Sequence, residues 1–326
     1  MGNVYKMRRS KEIMEKEEYD FIIVGAGVSG LAAAMYGGRL GMKTLCFGAS
    51  HGSEMPIGGV VTTTNSMENY PGFIKITGRE LAEKVKEHAL SYDKVKIKEE
   101  KVEKVEKTKS RFAVKTNKGE YSGKTILFAT GTKLRRLEIP GAKEFENRGV
   151  AYCAICDGPL YKNKVVGVIG GSDAAVKNAL LLAEYAKKVY IIYRGENIHP
   201  EPINMERIKA NKKIEIINKT NIVEVKGDRA VRSVVLDRDY KGEKELALDG
   251  IFVAIGHVAI SELAEKLGVK LNEKKEIIIN YKTAETNVKG VYAAGDITDN
   301  YFKQAITGVA EGCTAAYSAF EYLGKI

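Results

Sequence analysis

Tyr19-Asp20-Phe21-Ile22-Ile23-Val24-Gly25-Ala26-Gly27-Val28-Ser29-Gly30 decides the fold. The apolar run at 21–24 ends in glycines and reads as a buried strand. An Ala-rich helix over 31–40 and a second strand at Thr44–Phe47 complete a βαβ unit. Gly25, Gly27 and Gly30 follow a strand and open a helix, the setting of a dinucleotide turn. The first glycine permits the tight turn, the second lets backbone approach a pyrophosphate, and the third lets helix pack on strand. The helix N-terminus supplies N–H groups for the phosphates. The acidic ribose ligand expected about 20 positions on is missing, because Leu45-Cys46-Phe47-Gly48 closes the second strand. Ribose contacts are therefore expected from backbone near Gly48 or from the Ser50 hydroxyl.

About 145 positions on, the pattern returns. Val165–Ile169 reads as a strand, Gly170-Gly171-Ser172-Asp173 as its turn, and 174–185 as a helix before a strand at 189–193. Two related units of this kind predict an α/β protein of two Rossmann-like (three-layer ββα) dinucleotide-binding domains, the second inserted into the first. The glycine-terminated strands T-I-L-F-A-T-G (125–131) and I-F-V-A-I-G (251–256) mark the two crossings. The expected boundaries are a charged lead at 1–18, a first domain of 19–132 with 257–326, and an inserted domain of 133–256. Thr77 and Glu80 form a capping box, which starts a helix at Gly78 running to about Tyr92. Alternation over 95–122 predicts a small antiparallel sheet with one wet face. Further alternating strands are expected near 214–218, 221–226 and 231–237, an apolar strand at 291–294, and a closing helix at 304–323.

The chain has 326 residues, 44% hydrophobic and 29% charged, which excludes a disordered chain. Its net charge is +10, yet the bases are interleaved with acids, as in Lys98-Glu99-Glu100-Lys101-Val102-Glu103-Lys104. That pattern reads as a solvated face and not as a nucleic-acid surface. The 18 uncharged residues at 21–38 match the strand–turn–helix better than a membrane span. No signal-peptide pattern precedes them, so the expected location is cytoplasmic.

Four cysteines, Cys46, Cys153, Cys156 and Cys313, are too few for a disulfide scaffold. Cys153-Ala154-Ile155-Cys156 places two thiols close enough to bond, and a helix N-terminus there favours thiolate. A Cys₄ zinc site needs two more ligands with suitable spacing, which Cys46 and Cys313 lack. The pair therefore reads as a redox disulfide, and no metal site is expected. Asp157 reads either as a general acid/base for thiol exchange or as a helix-capping carboxylate. His51, His88, His199 and His257 form no cluster in the sequence.

From about Tyr19 to Leu323 the chain resembles the low-molecular-weight flavoprotein thioredoxin reductases. Gly25, Gly27 and Gly30 match the first FAD turn of that family. Gly58-Gly59-Val60-Val61-Thr62-Thr63-Thr64 and Glu68-Asn69-Tyr70-Pro71-Gly72-Phe73 resemble its flavin-facing loop. Ala129-Thr130-Gly131 resembles the strand end where the chain leaves the flavin domain. Cys153-Ala154-Ile155-Cys156-Asp157-Gly158 resembles the active-site hexapeptide. Gly295-Asp296 and Lys303-Gln304-Ala305 are similar to its C-terminal flavin-binding segment.

The resemblance implies FAD, reduction of a disulfide on a thioredoxin-like or glutaredoxin-like small protein, and a homodimer. It implies FAD contacts at Gly59, Thr62, Asn69, Thr130, Gly131, Asp296, Lys303, Gln304 and Ala305. It also implies that Cys156 lies beside the flavin, Cys153 attacks the partner, and Asp157 moves the proton. In the family the nucleotide domain swivels, so that nucleotide and disulfide reach the flavin in turn.

The second turn departs from the pattern. Gly170-Gly171-Ser172-Asp173-Ala174-Ala175 stands where the family has G-G-G-D-S-A, so Ser172 replaces a glycine at the pyrophosphate. Tyr193-Arg194-Gly195-Glu196-Asn197-Ile198-His199 stands where it has H-R-R-x-x-x-R. Those arginines hold the 2′-phosphate of NADPH. Here Arg194 remains, with His199 at the last position. The expected donor is therefore NADPH or NADH with weak selectivity. The alternatives are a non-nicotinamide donor such as ferredoxin or a deazaflavin, an NAD(P)H oxidase or peroxide-linked flavoprotein, and a flavin-binding module without turnover.

Overall fold

The computed structural model describes residues 17–48 and 55–325. The charged lead up to residue 16, and Ser50 with it, lie outside the described residues. The chain opens with β1 (Glu18–Val24), α1 (Val28–Arg39) and β2 (Thr44–Phe47), as the glycine motif predicts. A 3-10 turn at Gly59–Thr63 precedes α2 (Gly78–Leu90), which starts at the Thr77/Glu80 capping box. Next come β3 (Val95–Lys98), β4 (Val102–Lys107), β5 (Phe112–Thr116) and β6 (Glu120–Phe128). With β17 (Val291–Ala293) from near the C-terminus they form one seven-stranded sheet, ordered β3-β2-β1-β6-β5-β4, with β17 also on β6.

The antiparallel strands expected over 95–122 are β4, β5 and β6, but β3 pairs parallel with β2 and all of them belong to the one large sheet. Strand β6 is nine residues long. Its first half pairs antiparallel with β5, and its second half pairs parallel with β17, while β1 runs parallel along its other side. One long strand therefore serves both the parallel core and the antiparallel edge, and β3 joins the opposite edge parallel to β2.

Side-chain alternation sorts the core. Phe21 and Ile23 of β1 pack with Leu31, Ala33 and Ala34 of α1 and with Ala315, Ala316 and Ala319 of α7 (Ala305–Leu323). Ile22 and Val24 face the other way, onto Val105, Phe112 and Val114. Each large aliphatic buried this completely contributes about 1.5–3 kcal/mol. The small residues of α1 and α7 let the two helices touch closely. A Cβ at Gly312 would collide with the carbonyl oxygen of Ser29.

The middle of the chain carries β7 (Thr132–Leu134), β8 (Val150–Ala151), α3 (Ala154–Asp157), a 3-10 turn at Gly158–Tyr161, β9 (Val165–Ile169), α4 (Asp173–Tyr185), β10 (Lys188–Ile192), α5 (Pro202–Ala210) and β11 (Ile214–Ile217). It continues through β12 (Ile222–Gly227), β13 (Val231–Tyr240), β14 (Glu243–Ala247), β15 (Gly250–Val253) and β16 (His257–Ala259), then α6 (Glu262–Lys266). A second sheet has the order β11-β10-β9-β15-β8, all parallel, and β12-β13-β14 form an antiparallel meander. The strand expected at 214–218 is β11, the parallel edge of the second sheet. Helix α5 was absent from the pattern. Met205 and Ile208 alone stand at helical spacing while Ile203 falls off that face, too short a repeat to mark a helix, and its start is marked by Pro202.

Strands β7 and β16 pair antiparallel with each other, Leu134 opposite His257 and Thr132 opposite Ala259. The Thr130 hydroxyl donates to the Ile260 carbonyl at 2.6 Å, and the Ile260 N–H donates to the Gly131 carbonyl at 3.0 Å. A two-stranded ribbon thus runs between the two sheets. No described helix is long and apolar enough to cross a membrane.

Candidate active site

The first turn is built from backbone in close approach. Gly25 has φ +115°, and a Cβ there would collide with the Ala129 carbonyl oxygen at the end of β6. A Cβ at Gly30 would collide with the Gly25 carbonyl oxygen. Gly27 faces the loop at Gly58, whose N–H donates to the Ala26 carbonyl at 2.8 Å, and a Cβ on Gly59 would lie 3.1 Å from the Gly27 Cα. Gly48 ends β2 with its N–H on the Lys98 carbonyl at 2.7 Å.

Around this turn the other candidate residues gather. The Asn69 amide donates to the Gln304 side-chain oxygen at 3.0 Å, which ties the loop after the 3-10 turn to the start of α7 at Ala305. The Thr62 hydroxyl donates to the Gly59 carbonyl at 2.8 Å and so closes its own turn. Lys303 Nζ donates to the carbonyls of Asp296 and Thr298, each at 2.8 Å, and to Glu276 at 2.6 Å. Its charge therefore clamps the Asp296 loop.

Glu311 of α7 was not singled out in the sequence. Its carboxylate accepts the Gly295 N–H at 2.7 Å and the Thr298 hydroxyl at 3.3 Å. Burial pushes its carboxyl above the usual range. Nothing in the surrounding residues distinguishes it from an ordinary helical glutamate, so no sequence signal would have found it.

Asp296 tests the fit of a ligand. Its carboxyl is partly buried, is pushed up by desolvation, and has no hydrogen-bond partner among the described residues. A partly desolvated carboxylate that accepts no hydrogen bond from the protein is poorly satisfied until a donor arrives. A ligand hydroxyl at the end of a dinucleotide cradle is such a donor, so these residues fit FAD.

The redox pair sits in the second unit. Cys153 and Cys156 are joined as a disulfide, Cα atoms 5.3 Å apart. Cys153 is the N-cap of α3, and the Cys156 N–H donates to its sulfur at 3.2 Å. That bond stabilises negative charge on Cys153 once the disulfide opens. Cys156 is the more exposed of the two. Asp157 ends α3 and makes no capping bond with its side chain, so of the two readings of this residue the capping role is not observed. Burial pushes its carboxyl up. Cys46 is buried in the first sheet, and burial pushes its thiol well up. Cys313 is partly buried on α7 with its thiol likewise raised.

At the second turn, Gly170, Gly171 and Ser172 lead into α4, with Ser172 as N-cap. The His199 N–H donates to the Gly171 carbonyl at 2.8 Å, so His199 lies beside the turn, as the alignment with the family pattern implies. Its ring packs on Tyr193, centroids 5.6 Å apart. Arg194 is exposed and makes no ion pair among the described residues. Glu196 pairs with Lys219 at 2.8 Å. Lys219 is a cation that the sequence reading missed. It is brought there because its N–H donates to the Gly195 carbonyl at 2.8 Å across more than 20 residues of chain. The Asp173 carboxylate faces α5. It accepts from the Glu201 N–H at 3.0 Å and the Asn204 amide at 2.8 Å, and pairs with Lys177 at 2.7 Å.

Residues 19–312 match the model of the pyridine nucleotide-disulphide oxidoreductase family. The chain is 38% identical to a thioredoxin reductase of Treponema pallidum over 95% of this chain and 98% of that one. It superposes on the FR conformation of a Lactococcus lactis thioredoxin reductase with a TM-score of 0.88 at 35% identity, covering 94% of this chain and 100% of that one. A ferredoxin-flavin thioredoxin reductase of Clostridium acetobutylicum is 32% identical, with 95% of this chain and 99% of that one covered, at a TM-score of 0.50. The chain belongs to the pyridine nucleotide-disulphide oxidoreductases, and among them to the low-molecular-weight flavoprotein thioredoxin reductases.

Proposed function

We propose that this member of the family binds FAD and reduces the disulfide of a small thioredoxin-like or glutaredoxin-like protein through Cys153 and Cys156. The observation that carries the reading is the Cys153–Cys156 disulfide capping α3, with the Cys156 amide on the Cys153 sulfur and the Asp157 carboxyl next in the chain. Residues 19–132 with 257–326 form the FAD unit, and 133–256 the inserted unit with the second turn and the redox pair.

In the reduced protein the Cys153 thiolate attacks one sulfur of the partner disulfide and the other sulfur leaves. The Cys156 thiolate then attacks Cys153, which reforms the internal disulfide and releases the partner as a dithiol. Two electrons move from enzyme to partner, and Asp157 carries a proton between thiol and solvent. Gly25, Gly27 and Gly30 would hold the pyrophosphate of FAD, Asp296 would accept from one of its ribityl hydroxyls, and Asn69 with Gln304 would hold the ring end. FAD, when bound, supplies the two-electron store that returns Cys153–Cys156 to the dithiol. The swivel of the inserted unit, implied by the family, brings the redox pair and the second turn to the flavin alternately.

Among nicotinamides, the reading is weak selectivity for NADPH. Lys219 neutralises Glu196, which leaves Arg194 as the unpaired cation for a 2′-phosphate. A second reading, a non-nicotinamide donor, is favoured by one observation. The Tyr193 ring packs on Gly171 of the second turn, where a Cβ would fall 2.6 Å from the ring, so a nucleotide at that turn would have to fit beside it. Stopped-flow reduction of the purified FAD protein by NADPH, NADH, reduced ferredoxin and a reduced deazaflavin tests both readings. Turnover of a thioredoxin-like disulfide tests the activity itself, and a protein that releases no FAD on denaturation overturns it. A homodimer is the proposed assembly, which light scattering at micromolar concentration checks.

A further inference from the structure

A line of polar contacts runs from the second turn to the flavin-facing loop. It starts at Asp173, the first residue of α4, whose carboxylate holds the Asn204 amide at 2.8 Å. Asn204 is 1% exposed, so its side chain is locked in place. Its oxygen accepts from Arg207 at 3.2 Å, one turn further along α5. The other guanidinium nitrogen reaches Glu68 at 2.8 Å. Glu68 belongs to the first unit, and its neighbour Asn69 bonds Gln304. Lys177 and the Glu201 N–H complete the shell of Asp173, so neither end of the line is loose.

We propose that Arg207 is a positioning residue: its ion pair with Glu68 latches the inserted unit in the orientation that sets the second turn toward the flavin loop and leaves Cys153–Cys156 turned to solvent. The inference rests on the swivel in the functional reading above. The two partners belong to different units, 139 residues apart in sequence. A swivel of one unit against the other that carries α3 to the flavin would part the two. The pair is partly exposed, so it biases the two orientations modestly and does not freeze one. A modest bias is what an alternating cycle requires, because a strong one would stall it. The tether from Asp173 matters for a second reason. Through Asn204 it fixes the Arg207 rotamer, so the latch is in register only when the start of α4 is in its observed place.

The test uses the full chain with FAD bound. Dyes are placed by azide chemistry at Val223 on β12 and Phe320 on α7, both exposed, and the inter-unit transfer efficiency is read by single-molecule fluorescence. Glu68→Gln and Arg207→Gln should each shift the ratio of the two orientations about two- to fivefold away from the observed one. Raising salt to 1 M should produce the same shift in the parent protein and little further change in either variant. The double reversal Glu68→Arg/Arg207→Glu should restore the parent ratio, which a merely structural role for α5 does not explain. In rapid kinetics the single variants should slow reduction by the donor and speed reduction of Cys153–Cys156. Two populations in the parent that no variant moves overturn the latch. A single population in every protein overturns the swivel instead, so the two failures are separable.

Discussion

The Tyr193 ring lies over Gly171: a Cβ built on that glycine would fall 2.6 Å from the Cγ of the ring. The same ring closes off Gly195, where a Cβ would fall 2.5 Å from its edge. Tyr193 follows β10 directly, at the position from which a Rossmann unit reaches the adenosine ribose. A ribose bound at that turn would have to share the space with this ring.

Removing the ring tests this. Tyr193→Ala should raise kcat/KM for NADPH and NADH together, because the obstruction acts before the 2′-phosphate is read. Adding Gly195→Arg and His199→Arg to Tyr193→Ala should then raise NADPH alone. Each charge-assisted bond to the phosphate contributes about 1.5–3 kcal/mol, or roughly 10- to 150-fold. The arginine pair without Tyr193→Ala should do less, since Gly195 has no room for a Cβ beneath the ring. Steady-state kinetics with both nucleotides decides, and a hundredfold NADPH preference in the unaltered protein would refute the weak-selectivity reading.

The two cysteines should separate on mutation. Cys156→Ser leaves Cys153 able to attack but removes the resolving thiol, so a covalent complex with a thioredoxin-like disulfide should accumulate on a non-reducing gel. Cys153→Ser should give none. A complex formed by Cys153→Ser and not by Cys156→Ser reverses the assignment.

Asp157 should impose an acidic limb on the pH profile of partner reduction. Burial raises its carboxyl, so the basic form that takes a thiol proton appears only above the ordinary carboxylate range near 3.9. The rate should therefore climb with pH through that raised value. Asp157→Asn should lower the rate about 10²–10⁴-fold and flatten the limb. A profile unchanged in Asp157→Asn would assign the proton to another group.

Crowded glycines give a stability test. Gly312→Ala forces a methyl group against the Ser29 carbonyl between α1 and α7, and should destabilise the protein by about 1–3 kcal/mol with FAD still bound. Gly30→Ala forces a methyl group onto the Gly25 carbonyl inside the cradle and should cost FAD binding as well. Denaturant titration with flavin release measured in parallel distinguishes the two.

Much of this architecture was legible along the chain. The strands before Gly25 and Gly170 and the helices after them stand where the glycine spacing put them, because a turn packed against backbone admits no larger residue. The Thr77/Glu80 cap marked the start of α2, since its bonds are local. Ser172 and the missing arginines around Arg194 were equally visible, being departures at identifiable positions of a motif. Where the antiparallel strands would dock was not visible, because alternation specifies a face and not a neighbour. Strand β6 takes partners on both sides along its length for that reason.

The sequence by itself determined the two glycine turns, the redox pair and the order of the units, since each depends on residues within a few positions of one another. Only the tertiary structure decided what surrounds them. Glu311 under Gly295, Lys219 against Glu196, Asp173 turned to α5, and Glu68 facing Arg207 are contacts between residues 16 to 139 positions apart. Hydrogen bonds and ion pairs of this kind are set by how helices and sheets pack. A polar side chain in sequence shows what it can bond to, and packing alone supplies the partner.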